Sequence, residues 1–177
     1  MHSIHRVLGF ALLLVLCSGS LVMGTTAHHN CAVKPGAVPP AETDPFDEAV
    51  QSFQLLRSFF NDTEGDDVYP VSTHGRVYDQ AYQYLLAGFD SAMAEAILSA
   101  YTFTDTEGVL KIIPCEGIPY VTSLDRKQAS ITCESGRALI AASLHDCYQP
   151  GDGYKYTITS RLVNGHWKIS DLALDPE

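Results

Sequence analysis

The chain has 177 residues, 46% of them apolar and 18% charged. That is one ordinary domain with a tail, not two domains, and it is too apolar for global disorder. Its 11 Lys and Arg against 21 Asp and Glu leave a formal charge of −10, which argues against nucleic acid or an anionic membrane surface as partner, because both affinities are built from cations.

Residues 1–27 read as a secretory signal. His2, His5 and Arg6 precede an apolar run from Val7 to Leu16, and small residues follow, with Gly24 and Ala27 as candidate cleavage positions. The apolar run is shorter than the roughly 20 residues a spanning helix needs. Secretion or another extracytoplasmic location is therefore expected, with no membrane span in the mature chain. Lipid attachment at Cys17 is the less favoured route, since Leu16 stands where a small residue is wanted.

Residues 28–43 are rich in Ala and Pro without apolar periodicity, a linker, and a single domain is expected over 44–177. His28, His29 and Cys31, or His145-Asp146-Cys147, could offer metal ligands, but neither has a second half-site at a recognised spacing. No metal and no cofactor is expected. Four cysteines remain after cleavage, Cys31, Cys115, Cys133 and Cys147, enough for one or two disulfides in an exported chain.

Asp44-Pro45 is an N-cap followed by proline at the first helical position, and Phe46, Ala49, Val50, Phe53, Leu56 and Phe60 recur at helical spacing, predicting a helix over about 46–61. Asn61-Asp62-Thr63 matches a glycosylation sequon. Tyr78, Tyr82, Leu85, Leu86 and Phe89 form a second stripe, read as core and not as a cofactor box. Gly88 interrupts it. Asp90 can cap a third helix whose apolar face is Ala92, Met93, Ala96, Ile97 and Ala100.

From Gly108 the pattern turns to strands: 109–113, 128–133, 137–146, 154–163 and 166–174. Ser135-Gly136 and Asn164-Gly165 separate the last four as hairpin turns, residues that tolerate positive φ. Helices followed by an antiparallel meander make an α+β fold, N-terminal helices packed on a curved antiparallel sheet. A two-residue turn fixes register. Around Ser135-Gly136, Glu134 faces Arg137, Cys133 faces Ala138, Ile131 faces Ile140 and Ala129 faces Ala142. Cys133 then points into the core as a buried thiol, Cys147 has the opposite parity, and Cys115–Cys147 is the preferred disulfide. His145 points away from the core.

Around Asn164-Gly165, Leu162 faces Trp167, Ser160 faces Ile169, Ile158 faces Asp171 and Tyr156 faces Ala173. The other side pairs Arg161 with Lys168, Thr159 with Ser170 and Lys155 with Leu174, a water-compatible face. Asp171 then sits on the apolar side, diagonal to Tyr156. A buried carboxylate of this kind has a raised pKa and can act as a general base or anchor a ligand. The plainer alternative is a bulge that turns Asp171 out to water.

The ending Asn-Gly-His-Trp-Lys-Ile-Ser-Asp-Leu, with Gly165, Trp167, Lys168, Ile169, Asp171 and Leu172 at Gly-x-Trp-Lys-Ile-x-Asp-Leu, resembles the nuclear transport factor 2-like superfamily, and Tyr78 to Tyr101 looks like its paired middle helices. The resemblance covers about residues 46–174. It implies a cone, a bent sheet wrapped round helices with a pocket between them, in a superfamily of isomerases, cyclases, dehydratases and exported bacterial domains without assigned activity. His74 and His145 match no motif of its enzymes. It also implies that a homodimer could form through the open sheet face, where Arg161, Lys155 and Lys168 would need acids from the second copy.

Two functions follow. The favoured one is an exported non-enzymatic domain that binds a small molecule or a cell-envelope protein, with a small pocket between helices and sheet. The alternative is an isomerase, dehydratase or hydrolase using Asp171 as base and Tyr156 as donor. The pocket residues expected in either case are Asp171, Tyr156, Trp167, Ile158 and Tyr82.

Overall fold

A computed structural model describes residues 43–65, 68–114, 120–146 and 150–177. The expected signal, nearly all of the expected linker, Cys115 and Cys147 lie outside them. The described chain is α+β: three α-helices and a four-stranded antiparallel sheet, with two small two-stranded ribbons.

Helix α1 spans Pro45–Asn61. Asp44 caps it as expected, its Oδ1 accepting from the backbone N–H of Phe46 at 2.8 Å and of Asp47 at 3.4 Å. The other oxygen of Asp44 takes Arg126 at 2.7 Å, and the same guanidinium lies over the Phe46 ring. Phe46, Ala49, Phe53, Leu56 and Phe59 are buried along one face, so Phe59 and not Phe60 completes the stripe. At 3.6 residues per turn either position lies near the stripe's axis. Phe60 packs beside it, edge-on to Phe59.

Strands β1 (Thr63–Glu64) and β2 (Val71–Ser72) form a short ribbon before α2 (Tyr78–Leu85). The buried line of α2 is Ala81 and Leu85, while Tyr78 is exposed and Tyr82 half-buried, the two rings stacked 6.2 Å apart. The expected aromatic stripe is therefore the helix's flank. The helix is brought in close by small residues: a Cβ on Gly75 would lie 2.5 Å from the Cα of Ala81. Helix α3 (Ser91–Tyr101) starts at the expected cap, Asp90, whose Oδ1 accepts from Met93 N at 2.9 Å. It buries Ala94, Ile97 and Leu98 and leaves Ala92, Ala96 and Ala100 exposed. Leu98 wins over the alanines because burying a leucine gains about 1.5–3 kcal/mol, far more than one methyl does.

The first expected strand exists as β4 (Leu110–Ile112), but it pairs with β3 (Thr102–Thr104) and not with the main sheet. A short 3-10 helix, Ser123–Lys127, follows. The main sheet is β5 (Ser130–Glu134), β6 (Arg137–His145), β7 (Gly153–Val163) and β8 (His166–Pro176), in that order. Both predicted turns occur, with positive φ at Ser135, Gly136, Asn164 and Gly165. The first hairpin has the expected register: Glu134 with Arg137, Cys133 with Ala138, Ile131 with Ile140. Ladder pairing starts at Ser130, so Ala129 lies just outside it. Cys133 is half-buried and disulfide-bonded, which corrects the expected free thiol. Every other cysteine of the chain lies outside the described residues.

The second hairpin follows the expected register as far as Ser160 with Ile169 and then shifts. Thr159 pairs with Asp171, Ile158 with Leu172, Tyr156 with Leu174 and Lys155 with Asp175. Ser170 is the extra residue of a bulge, its hydroxyl donating to Thr159 O at 3.2 Å. The strict register would have pointed Asp171 inward and left Leu172 and Leu174 on the wet side. One added residue reverses both, and the two leucines now pack against the core. Avoiding an uncompensated buried carboxylate decides the matter, since that costs several kcal/mol.

Trp167 is 7% exposed and Ile169 0%, so the tryptophan-bearing side of the ribbon faces the helices. Ile169 belongs to one core cluster with Ile140, Ala142, Tyr156 and Ile158 under α1, which lies against β7 and β8. Strand β8 is the sheet's edge, and the link between α2 and α3 partly covers it. Ile169 N donates to Gly88 O at 3.0 Å and Asp90 N donates to Ile169 O at 2.9 Å. This contact satisfies edge groups that would otherwise invite another strand.

Candidate functional site

Where α1, the α2–α3 link and the start of β8 converge, a cleft of about 220 Å3 opens, lined by Glu48, Gln51, Ser52, Leu55, Ala87, Gly88, His166, Trp167 and Lys168. Each wall has a local cause. Glu48 lies in the first turn of α1, where an acid also complements the helix dipole. Four residues on, Ser52 Oγ lies 2.8 Å from Glu48 O and 2.9 Å from Gly88 O and donates its one proton across the two carbonyls. This joins α1 to the α2–α3 link. Gly88 is required there for space: a Cβ would come within 2.8 Å of Ser52 Oγ and 2.9 Å of its Cα.

Glu48 is 9% exposed and fully engaged. Its Oε1 lies 2.9 Å from His166 Nδ1, and Oε2 accepts from the backbone N–H of Trp167. Burial by itself would raise its pKa. The hydrogen bonds from His166, Thr43 and the Trp167 N–H, with the charge of His166, outweigh burial and hold the carboxyl below its ordinary value. An ionised carboxylate only accepts, so Nδ1 of His166 carries the proton in this pair and Nε2 is the ring's other face to the surroundings. The His166 side chain is largely exposed. The ammonium of Lys168 donates to Ala87 O, which uses one of its three protons. Trp167 Nε1 and Ser160 Oγ are buried without a hydrogen-bond partner among the described residues.

The lining is mixed: the Lys168 ammonium and the Gln51 amide can donate, Nε2 of a ring protonated only at Nδ1 accepts, and both Glu48 oxygens are already engaged. Leu55 and the indole ring supply apolar surface. The arrangement can pair with a small polar group, and the imidazole can exchange a proton with it.

Of the five residues expected to share a pocket, Trp167 lines this cleft. Tyr156 and Ile158 are packed in the core, with the Tyr156 ring 5.8 Å from that of Phe53. Tyr82 is half-buried at the core margin. Asp171 is exposed, its Oδ1 accepting from Leu172 N at 3.0 Å, so the bulge gives it to water and not to an apolar pocket. His145 is exposed at the end of β6, as expected. His74 stacks on Tyr84 at 4.5 Å and pairs with Asp62 at 2.9 Å. That bond, against a smaller opposing effect of burial, holds the Asp62 carboxyl below its ordinary value. Burial, then the nearby Asp62 charge, raises the Tyr84 phenol.

Glu48, Ser52 and His166 carried no mark in the sequence as site residues, and Gly88 was marked only as the break in the second helical stripe. A signal for the first two exists: at i and i+4 they fall within the apolar stripe of α1, beside Ala49 and Phe53, where polar groups need partners. Among the described residues no group of three or more His, Cys, Asp or Glu is placed to hold a metal ion. None of the described helices is long and apolar enough to cross a membrane.

No protein-family model matches the chain, and no curated protein matches it significantly.

Proposed function

We propose that this chain is an exported, non-enzymatic binding domain on the cone plan of the nuclear transport factor 2-like superfamily, and that the cleft between α1, the α2–α3 link and β8 is its small-molecule site. The observation that carries this reading is the set of polar side chains that line the cleft beside the Trp167 ring, Gln51, Lys168 and the imidazole of His166 held by a buried Glu48. At roughly 30 Å3 per water in the liquid, the cleft has room for about seven waters, which suits a small organic acid or the end of a peptide.

One observation favours a catalytic reading: a carboxylate-oriented imidazole with its second nitrogen outward is a general acid–base arrangement. In that reading His166, oriented by Glu48, takes the role expected of Asp171.

Native mass spectrometry of the mature protein from its own host tests the proposal. It reads signal cleavage, lipid, disulfides, oligomer and retained ligand together. A retained small acid lost in His166→Ala and in Lys168→Met supports the binding site. Chemical conversion of that ligand by the wild type but not by His166→Ala would move the assignment to an enzyme. A ligand retained equally by all three would remove the cleft from either role.

A further inference from the structure

The outer face of the sheet carries a second feature, beside the cleft and meeting it at Lys168. Arg137 on β6 and Arg161 on β7 are direct ladder partners, and Lys168 on β8 is the next residue in the same row. Like charges set directly opposite each other destabilise a sheet. The other three described arginines are all engaged: Arg57 over the Tyr120 ring at 4.6 Å, Arg76 with Glu64 at 3.3 Å, Arg126 with Asp44 at 2.7 Å. Arg137 and Arg161 have no ion pair or ring contact among the described residues. Glu134 stands opposite Arg137 at the row's end, and Asp171 lies one row along, yet neither comes within ion-pairing distance. The ammonium of Lys168 is drawn to Ala87 O. In a chain of net charge −10, two free guanidinium groups sit side by side. On the same face Leu139 and Val163 are each 41% exposed.

We propose that this face docks an extended, carboxylate-bearing segment of a partner protein, its Asp or Glu side chains bridging Arg137 and Arg161. Paired guanidinium forks match carboxylates bidentately. Leu139 and Val163 give the neighbouring side chains of such a segment an apolar rest. A polyanionic glycan or an anionic bilayer fits less well. Two free cations cannot offset the acids around them against a surface of many negative charges.

The test uses an octapeptide of alternating Glu and Thr, its Gln-for-Glu counterpart, heparin, and phosphatidylserine vesicles, with the full chain and the double variant Arg137→Gln/Arg161→Gln. The Glu peptide is expected to bind the wild type, to weaken with added salt, and to bind the double variant about tenfold or more weakly. The Gln peptide should not bind. The double variant should also melt at the same temperature or higher, since relief of repulsion accompanies loss of the site. Equal peptide binding by wild type and variant, or no binding to the wild type, overturns the proposal. So does a lower melting temperature, which would make the pair structural. Stronger binding of heparin or vesicles, or self-association lost in the double variant, would give the face to another occupant and overturn it equally. Ligand retention in the cleft is read separately and is unaffected by either outcome.

Discussion

The two halves of the β7–β8 ribbon are held by different means. Toward the turn, His166 to Ile169 is tied from both flanks: Glu48 grips His166 and the Trp167 N–H, while Gly88 and Asp90 bond to Ile169. Beyond the bulge, Asp171 to Pro176 has its ladder to β7 and the packing of Leu172 and Leu174, with every residue half-buried or exposed. Polar contacts to a second layer fix position, whereas ladder bonds fix only register. The turn half is therefore where a site of defined geometry can be kept, and the distal half is where a bulge can be absorbed cheaply.

Truncation of Ile169 should separate the halves most strongly. Ile169→Ala is expected to cost about 2–5 kcal/mol, as a fully buried side chain leaves a cavity between the sheet and the α2–α3 link. Leu172→Ala, on the same strand but half-buried, should cost clearly less. Urea midpoints of the two variants measure the difference, and equal losses would break the comparison. Next in size is Gly88→Ala. Its Cβ must push Ser52 and with it α1, and such overpacking costs about 1–3 kcal/mol. Gly88→Ala paired with Ser52→Gly should recover part of that loss, a cycle that a purely conformational role for Gly88 would not produce.

Much of this ribbon was legible in the sequence, and the part that was not has a definite cause. Ser135-Gly136 and Asn164-Gly165 specify turns, and a turn specifies register for as long as both strands advance one residue at a time. The bulge ends that condition. Its trace is visible all the same: the apolar positions run Trp167, Ile169 and then Leu172, Leu174, a change of phase between odd and even numbers. Reading Asp171 as a lone acid on an apolar face meant extending the first phase through the break. The cleft was harder to see. Glu48 looks like any acid in a first helical turn, and its partner His166 is 118 residues away, joined only by the hairpin's return. For the helices, period located the elements but not always their faces, since Leu98 and Ala81 were turned inward by neighbours no local pattern encodes.

Glu48→Gln sharpens the comparison through pH. The folded-state carboxyl is held below its ordinary value, so the folded chain prefers it ionised. Its contribution is complete above the unfolded-state value, near 4.5, and is lost as pH falls through the lower folded value. Wild-type stability should therefore drop on acidification below about pH 4.5 more steeply than that of Glu48→Gln. At neutral pH the variant should be less stable by about 1–2 kcal/mol, because a charge-assisted acceptor becomes a neutral amide. Chemical denaturation from pH 3 to 7 reads both. Parallel curves would mean that the turn half does not depend on this carboxylate.

The smallest effect is expected at Asp171, and its size decides between two registers. In the strict register the carboxylate would be buried opposite Ile158 without a partner, and Asp171→Ala would stabilise the fold by a kcal/mol or more, relieving a group that pays for desolvation. In the bulged register the side chain is in water on the outer face, and the same substitution should shift stability by no more than about 0.5 kcal/mol in either direction. Deleting Ser170 inverts the experiment. Without the extra residue the strand must either carry Asp171 inward or break its pairing, so a deletion that leaves the urea midpoint unchanged would show that the distal half holds no register of its own.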